Sequence, residues 1–195
     1  MSSYRIPAKP TTYAGTRFRS RLEARWAAFF DLAGWRWEYE PVDYPGWQPD
    51  FLIRTSAEPI PVEVKPIEWP DSGKFEAMEK VVLGRGDLEK VRAIEGVECL
   101  ILGAYLPTFA AGLDGVPFGL TVTLNSNDEG AREHFVDVAL LFGGQRSAFD
   151  FSVEFGSWHR RIGVGGGKAD LPPIEPQAVE AAWRQAGNVV QWRGR

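Results

Sequence analysis

The 195-residue chain predicts an α/β fold, a mixed β-sheet flanked by helices, and three observations predict it. Phe18, Leu22, Trp26, Phe29 and Ala33 recur at the spacing of one apolar helix face. Phe51-Leu52-Ile53 and Pro61-Val62-Glu63-Val64 flank a polar break at 54–59 that suits a turn, which is the pattern of a hairpin. Beyond it, helical periodicity leads into the apolar run 97–106, the strand, helix, strand order of a right-handed crossover.

The elements follow from local punctuation. Residues 1–15, with Pro7, Pro10 and Gly15, read as an arm, and Gly34 ends the helix that follows. Residues 35–41 alternate aromatic with charged side chains, as a half-buried strand does, and the hairpin comes next. Asp71 or Ser72 is placed to cap a helix that runs through Leu83. Gly84-Arg85-Gly86 interrupts it, and Asp87 is placed to cap a second segment bearing Leu88, Val91 and Ile94. Three more strands are expected at 118–124, 134–142 and 149–155, either extending the sheet or forming an antiparallel layer on it. Pro172-Pro173 precedes a last helix at 178–186. The organisation is an arm (1–15), a core (16–106) and a β-rich extension of the same domain (107–195) with a C-terminal helix.

Composition narrows the function. The chain is 44% hydrophobic and shows neither a signal peptide nor a membrane-length apolar run, so no membrane partner and a cytoplasmic location are expected. A single cysteine, Cys99, within an apolar run excludes a disulfide framework and a cysteine-rich zinc site. Two histidines, His134 and His159, are too few for histidine-based zinc hydrolysis. The glycine-rich segment 162–168 departs from a phosphate-binding loop, with Ala169 where Ser or Thr would meet Mg²⁺. The net charge of −4 works against a nucleic-acid partner, yet Arg5, Lys9, Arg17, Arg19, Arg21 and Arg25 face only Glu23 as opposing charge in the first thirty residues.

The chemistry concentrates at Pro49-Asp50 and Glu63-Val64-Lys65. Side chains alternate along a strand, so Glu63 and Lys65 share one face, and the hairpin brings Asp50 to it. Two carboxylates and an ammonium at one spot suit Mg²⁺. Glu23, at the edge of the apolar helix face, can lean over the end of the sheet and join them. Each residue also has an ordinary reading: Glu23 paired with Arg19, Asp50 in a turn, Glu63 and Lys65 as an exposed ion pair. Glu38 and Glu40 read as surface residues.

This order, a helix carrying Ser20-Arg21-Leu22-Glu23, a strand at 35–41, Pro49-Asp50, then Glu63-Val64-Lys65, resembles the PD-(D/E)XK nuclease superfamily. The spacing is most similar to transposon-end endonucleases and their phage or mobile-element relatives, over residues 16–106. The resemblance implies a restriction-endonuclease-like core and metal-dependent hydrolysis of DNA, by an endo- or exonuclease, with Mg²⁺ as cofactor and Mn²⁺ as substitute. It implies a catalytic set of Glu23, Asp50, Glu63 and Lys65. Asp50, Glu63, the backbone carbonyl of Val64 and Glu23 would be the metal ligands, and Lys65 would orient or activate the attacking water. Arg17, Arg19, Arg21 and Lys74 are the expected contacts to DNA, and a homodimer or partner protein is open. The alternative is a catalytically inactive module that keeps the nuclease fold and binds nucleic acid or protein.

Overall fold

A small hairpin opens the chain in the computed structural model, which describes residues 8–55, 58–71, 74–108, 115–126, 130–143, 149–153 and 172–191. Thr11–Tyr13 (β1) pairs antiparallel with Thr16–Phe18 (β2), with Tyr13 opposite Thr16. Ala14 and Gly15 both take positive φ, 46° and 82°, as a two-residue turn between twisted strands requires. The expected arm therefore ends in a hairpin, and Phe18 belongs to β2 rather than to the helix. Its side chain is still buried in the core.

Helix α1 (Arg21–Ala33) begins where Ser20 Oγ accepts the Glu23 N–H at 3.1 Å. It ends where Gly34, at φ 76°, turns its N–H back to Asp31 and Phe30. Its buried face consists of Ala24, Trp26, Ala27, Ala28, Phe29, Phe30 and Ala33, with Glu23 at the first turn. Helix α4 (Pro176–Val189) covers it: the Trp26 and Trp183 rings lie 4.4 Å apart, and the Arg25 guanidinium sits 3.7 Å over Trp183. Arg25 thus has a packing role.

Seven strands form one sheet: Trp37–Tyr39 (β3), Phe51–Ile53 (β4), Ile60–Val64 (β5), Cys99–Leu102 (β6), Val116–Ser126 (β7), Arg132–Gly143 (β8) and Phe149–Val153 (β9). They neighbour one another in chain order, and only β5 and β6 run parallel. The β5 to β6 crossover carries α2 (Phe75–Gly84), a 3₁₀ turn (Gly86–Leu88) and the single-turn α3 (Glu89–Arg92). The sheet is covered on both faces, which explains its nearly continuous apolar strands. Leu100 and Leu102 face the core built on α1 and α4. Cys99 and Ile101 face the other, with Met78 and Val82 of α2 and Val91 of α3.

Several expectations change in the structure. Of the two arrangements expected for the three C-terminal strands, the structure has the one that extends the sheet, with β7 paired directly to β6. The strand expected at 97–106 contracts to four residues, while the last helix is longer than expected at both ends. Neither acidic cap forms as expected. Helix α2 begins at Lys74 with no side-chain cap bond, and Ser72 lies outside the described residues. Asp87 sits within the 3₁₀ turn and binds Arg85, which pulls its carboxyl below the usual range. Arg5, positions 154–155 of the last expected strand and the glycine-rich segment 162–168 lie outside the described residues. Among the described residues, no helix is long and apolar enough to cross a membrane.

Trp26 ties both helices to the sheet. It is fully buried, and its Nε1–H donates to the Gly103 carbonyl at 3.0 Å. Trp26→Ala should cost about 3–5 kcal/mol through the cavity and the lost hydrogen bond. The urea midpoint measures this, and a loss below about 1 kcal/mol contradicts the packing described.

Candidate functional site

Strand register builds the site. Phe51 pairs with Val62 in antiparallel β4 and β5, so the next positions outward, Asp50 and Glu63, stand opposite each other on one face. Lys65 lies two residues beyond Glu63 and shares that face. On the other side of β4, Tyr39 pairs with Phe51, and the Glu40 N–H donates to the Asp50 carbonyl at 3.0 Å. Glu40, Asp50 and Glu63 therefore occupy neighbouring positions across three strands.

These carboxylates are held by direct bonds. Asp50 Oδ2 accepts the Val64 N–H at 2.7 Å, and Asp50 Oδ1 accepts from Arg19 Nη2 at 2.7 Å. Lys65 Nζ stands 2.6 Å from Glu63 Oε1, and Trp47 Nε1–H donates to Glu63 Oε2 at 2.8 Å. Trp47 is presented by the turn Tyr44-Pro45-Gly46-Trp47, closed by two backbone bonds with Gly46 at φ 76°. The Tyr44 and Trp47 rings stack 5.1 Å apart.

Glu23 reaches the same region from α1. Its Oε2 accepts from Tyr39 OH at 2.6 Å and the Arg19 N–H at 3.1 Å, and its Oε1 lies 2.6 Å from Ser20 Oγ. With the Glu23 N–H bound to Ser20, this is a reciprocal capping arrangement. The expected rival role, pairing with the Arg19 side chain, is replaced by a bond to the Arg19 backbone.

Burial makes the cluster electrostatically demanding. Glu23, Asp50 and Glu63 are 7%, 4% and 6% exposed; with Glu98 they are the four buried carboxylates among the described residues. A buried charge needs a compensating partner. Burial, with Glu63 and then Glu23 nearby, pushes the Asp50 carboxyl up to about 7, against the opposing pull of the Val64 N–H and Lys65. For Lys65, burial favours the neutral amine, but the hydrogen bond and charge of Glu63, with Asp50 and Asp87, win and raise its pKa. The Arg19 guanidinium is likewise raised, since Asp50 and Glu40 outweigh burial.

The Asp50 shift has a defined sign. Its folded pKa lies above the ordinary 3.8, so the folded protein keeps a proton that the unfolded chain releases. That contribution is fully present below about pH 4 and is lost as pH rises through about 7. In EDTA, wild type should therefore lose more stability between pH 5 and pH 8 than Asp50→Asn, measured by urea midpoints. Parallel pH profiles for the two proteins would contradict the shift.

Of the residues singled out from sequence, Asp50, Glu63, Val64 and Lys65 come together, with Glu23 coupled to them. Arg17, Arg21 and Lys74 are exposed on β2, at the start of α1 and at the α2 N-cap. Glu38 pairs with Arg54 at the surface, whereas Glu40, expected at the surface as well, joins Arg19 at the site. His134 lies 3.1 Å from the Arg92 carbonyl, and His159 is outside the described residues. Trp47, Tyr39 and the inward course of Arg19 were missed. Pro45-Gly46 signalled the turn but not where its tryptophan points.

Among the described residues, no three acidic, histidine or cysteine side chains converge as a ready-made metal-holding group. Asp50 and Glu63 stand opposite each other on adjacent strands, and Asp50 Oδ2 accepts the Val64 N–H; paired carboxylate oxygens are the donor type that a hard divalent cation takes. No family model, no curated protein and no solved structure matches this chain.

Proposed function

We propose that the protein is a metal-dependent nuclease that hydrolyses DNA phosphodiester bonds at the Asp50, Glu63 and Lys65 cluster, with Mg²⁺ as cofactor and Mn²⁺ as substitute. One observation carries this reading: three of the four buried carboxylates among the described residues gather at one end of the sheet with Lys65 and Arg19. Packing alone would be served better by apolar residues, since burying charge costs several kcal/mol even when it is paired. The helix, antiparallel hairpin and parallel crossover around the cluster are compatible with a restriction-endonuclease-like core, which forms part of the proposal.

Asp50, Glu63 and the Val64 carbonyl would hold the cation. When bound, it would polarise the scissile phosphate and stabilise the leaving oxygen. Lys65, with its raised pKa, is an ammonium at neutral pH, so it serves by orienting water and offsetting charge on phosphorus rather than as a free base. Trp47 fixes the second oxygen of Glu63 and thereby its orientation. Glu23 contributes its negative field at Asp50 while holding the start of α1 in place.

A second reading has its own observation. All four carboxylate oxygens of Asp50 and Glu63 already meet protein donors: Arg19 and Val64 for the first, Lys65 and Trp47 for the second. Such a self-satisfied network suits a catalytically inactive module. Incubating the purified protein with plasmid DNA and millimolar Mn²⁺ decides between them. Nicked, linear or degraded DNA that EDTA prevents supports the nuclease. Intact plasmid, together with intact single-stranded, branched and RNA substrates, supports the inactive module.

A further inference from the structure

Arg19 straddles the boundary between the acid cluster and the surface. Its side chain is 59% exposed, yet Nη2 lies 2.7 Å from both Asp50 Oδ1 and Glu40 Oε1. Strand alternation puts Asp50 on the face opposite Phe51 and the α1 core, so Arg19 reaches it around the end of β4. The Arg19 backbone is pinned there: its N–H meets Glu23 Oε2 and Tyr39 OH, each at 3.1 Å. Any movement of the guanidinium must come from the side chain alone.

Glu40 is built for this contact at a conformational cost. It is one of two non-glycine residues at positive φ among the described residues, at 47°, and the other, Ala14, belongs to a hairpin turn. Strain of this kind persists where the surroundings over-determine it, often at working sites. Glu40 Oε1 is buried without an aligned hydrogen bond, so the Arg19 charge is what compensates it.

We propose that Arg19 is a resident cation that competes with the divalent metal for Asp50 and transfers to a DNA phosphate, so that metal and DNA bind cooperatively. The inference rests on the nuclease reading of the same site. Both cations would use one carboxylate, and like charges in so buried a place repel strongly, so occupancy by either weakens the other. A phosphodiester offers Arg19 an alternative acceptor that matches the fork of its guanidinium. With Arg19 drawn off, Asp50 is released to the metal; by linkage, bound metal strengthens DNA binding by the same factor. Glu40 gives Arg19 a second anchor and keeps metal affinity low until substrate arrives.

Calorimetric titration of Mn²⁺ into DNA-free wild type, Arg19→Ala and Glu40→Gln tests this, together with duplex binding in EDTA. Arg19→Ala should bind Mn²⁺ about tenfold tighter than wild type and bind duplex more weakly, opposite changes that a merely structural role would not produce. Glu40→Gln, which leaves Asp50 and Arg19 in place, should tighten Mn²⁺ by a smaller factor and stands in if Arg19→Ala does not fold. If wild type binds Mn²⁺ and neither variant binds it more tightly, the inference is overturned while the nuclease reading stands. Unchanged duplex affinity in Arg19→Ala overturns the transfer to phosphate. Absence of Mn²⁺ binding in all three proteins removes the metal site itself, and the inference with it.

Discussion

Asp50→Ala and Glu63→Ala are each expected to abolish plasmid cleavage and also the rise in melting temperature that Mn²⁺ should give the wild type. Both effects follow from the same carboxylates. A metal that binds only the folded state stabilises it by about 2.7 kcal/mol at one hundred times its dissociation constant, and removing an opposed ligand removes that gain. The alanine variants carry a second cost, because Glu63→Ala strands the buried Trp47 Nε1–H and the Lys65 ammonium, at about 1–3 kcal/mol for a lost partner. Glu63→Gln separates the two effects. It keeps the side-chain volume and one acceptor oxygen, so one of the two donors stays bonded while the other meets the amide NH₂; its melting temperature in EDTA should fall between those of wild type and Glu63→Ala, with Mn²⁺ stabilisation and cleavage lost. Retained Mn²⁺ stabilisation in both Asp50→Ala and Glu63→Gln would place the metal elsewhere.

Lys65→Ala is expected to lower cleavage by about 10²-fold or more while Mn²⁺ still raises the melting temperature. The two readouts should diverge because Lys65 is not among the proposed ligands. It stands 2.6 Å from Glu63 Oε1 and supplies positive charge beside two buried acids. Its removal makes the cluster more negative, which draws a divalent cation in at least as strongly as before. What would disappear is the charge proposed to orient water and offset the transition state. Wild-type cleavage should show no inflection from Lys65 around neutral pH, since its raised pKa keeps the amine protonated there. Full activity in Lys65→Ala, on a substrate that wild type cuts, would make the Glu63-Val64-Lys65 pattern coincidental and favour the inactive module.

The site was legible where it depends on a period of two and on one turn. Glu63 and Lys65 share a face because they are two apart, and Asp50 meets Glu63 because a hairpin with Phe51 opposite Val62 leaves no other register. The Glu23 environment was less legible: the sequence sets a metal ligand against a pair with Arg19, and the Ser20 bond that caps α1 emerges only in the structure. The helix caps at Asp71 and Asp87 failed for the opposite reason: a suitable residue type was present, but the chain bends elsewhere and Asp87 finds Arg85.

From the amino-acid sequence alone follow the α/β class, the amphipathic first helix, the hairpin and the meeting of Asp50, Glu63 and Lys65, because each rests on periodicity or on neighbours within about fifteen residues. Only the tertiary structure decided that β6 to β9 join one continuous sheet, that Trp47 turns its indole onto Glu63, and that the largely exposed Arg19 bonds Asp50 and Glu40 at the edge of the acid cluster. Those outcomes depend on long-range strand pairing and on where a long side chain finds opposite charge. Glu40 shows the difference most sharply. Alternation along β3 describes a surface residue, whereas a left-handed φ, tolerated because Arg19 and the Asp50 backbone hold it there, makes it part of the site.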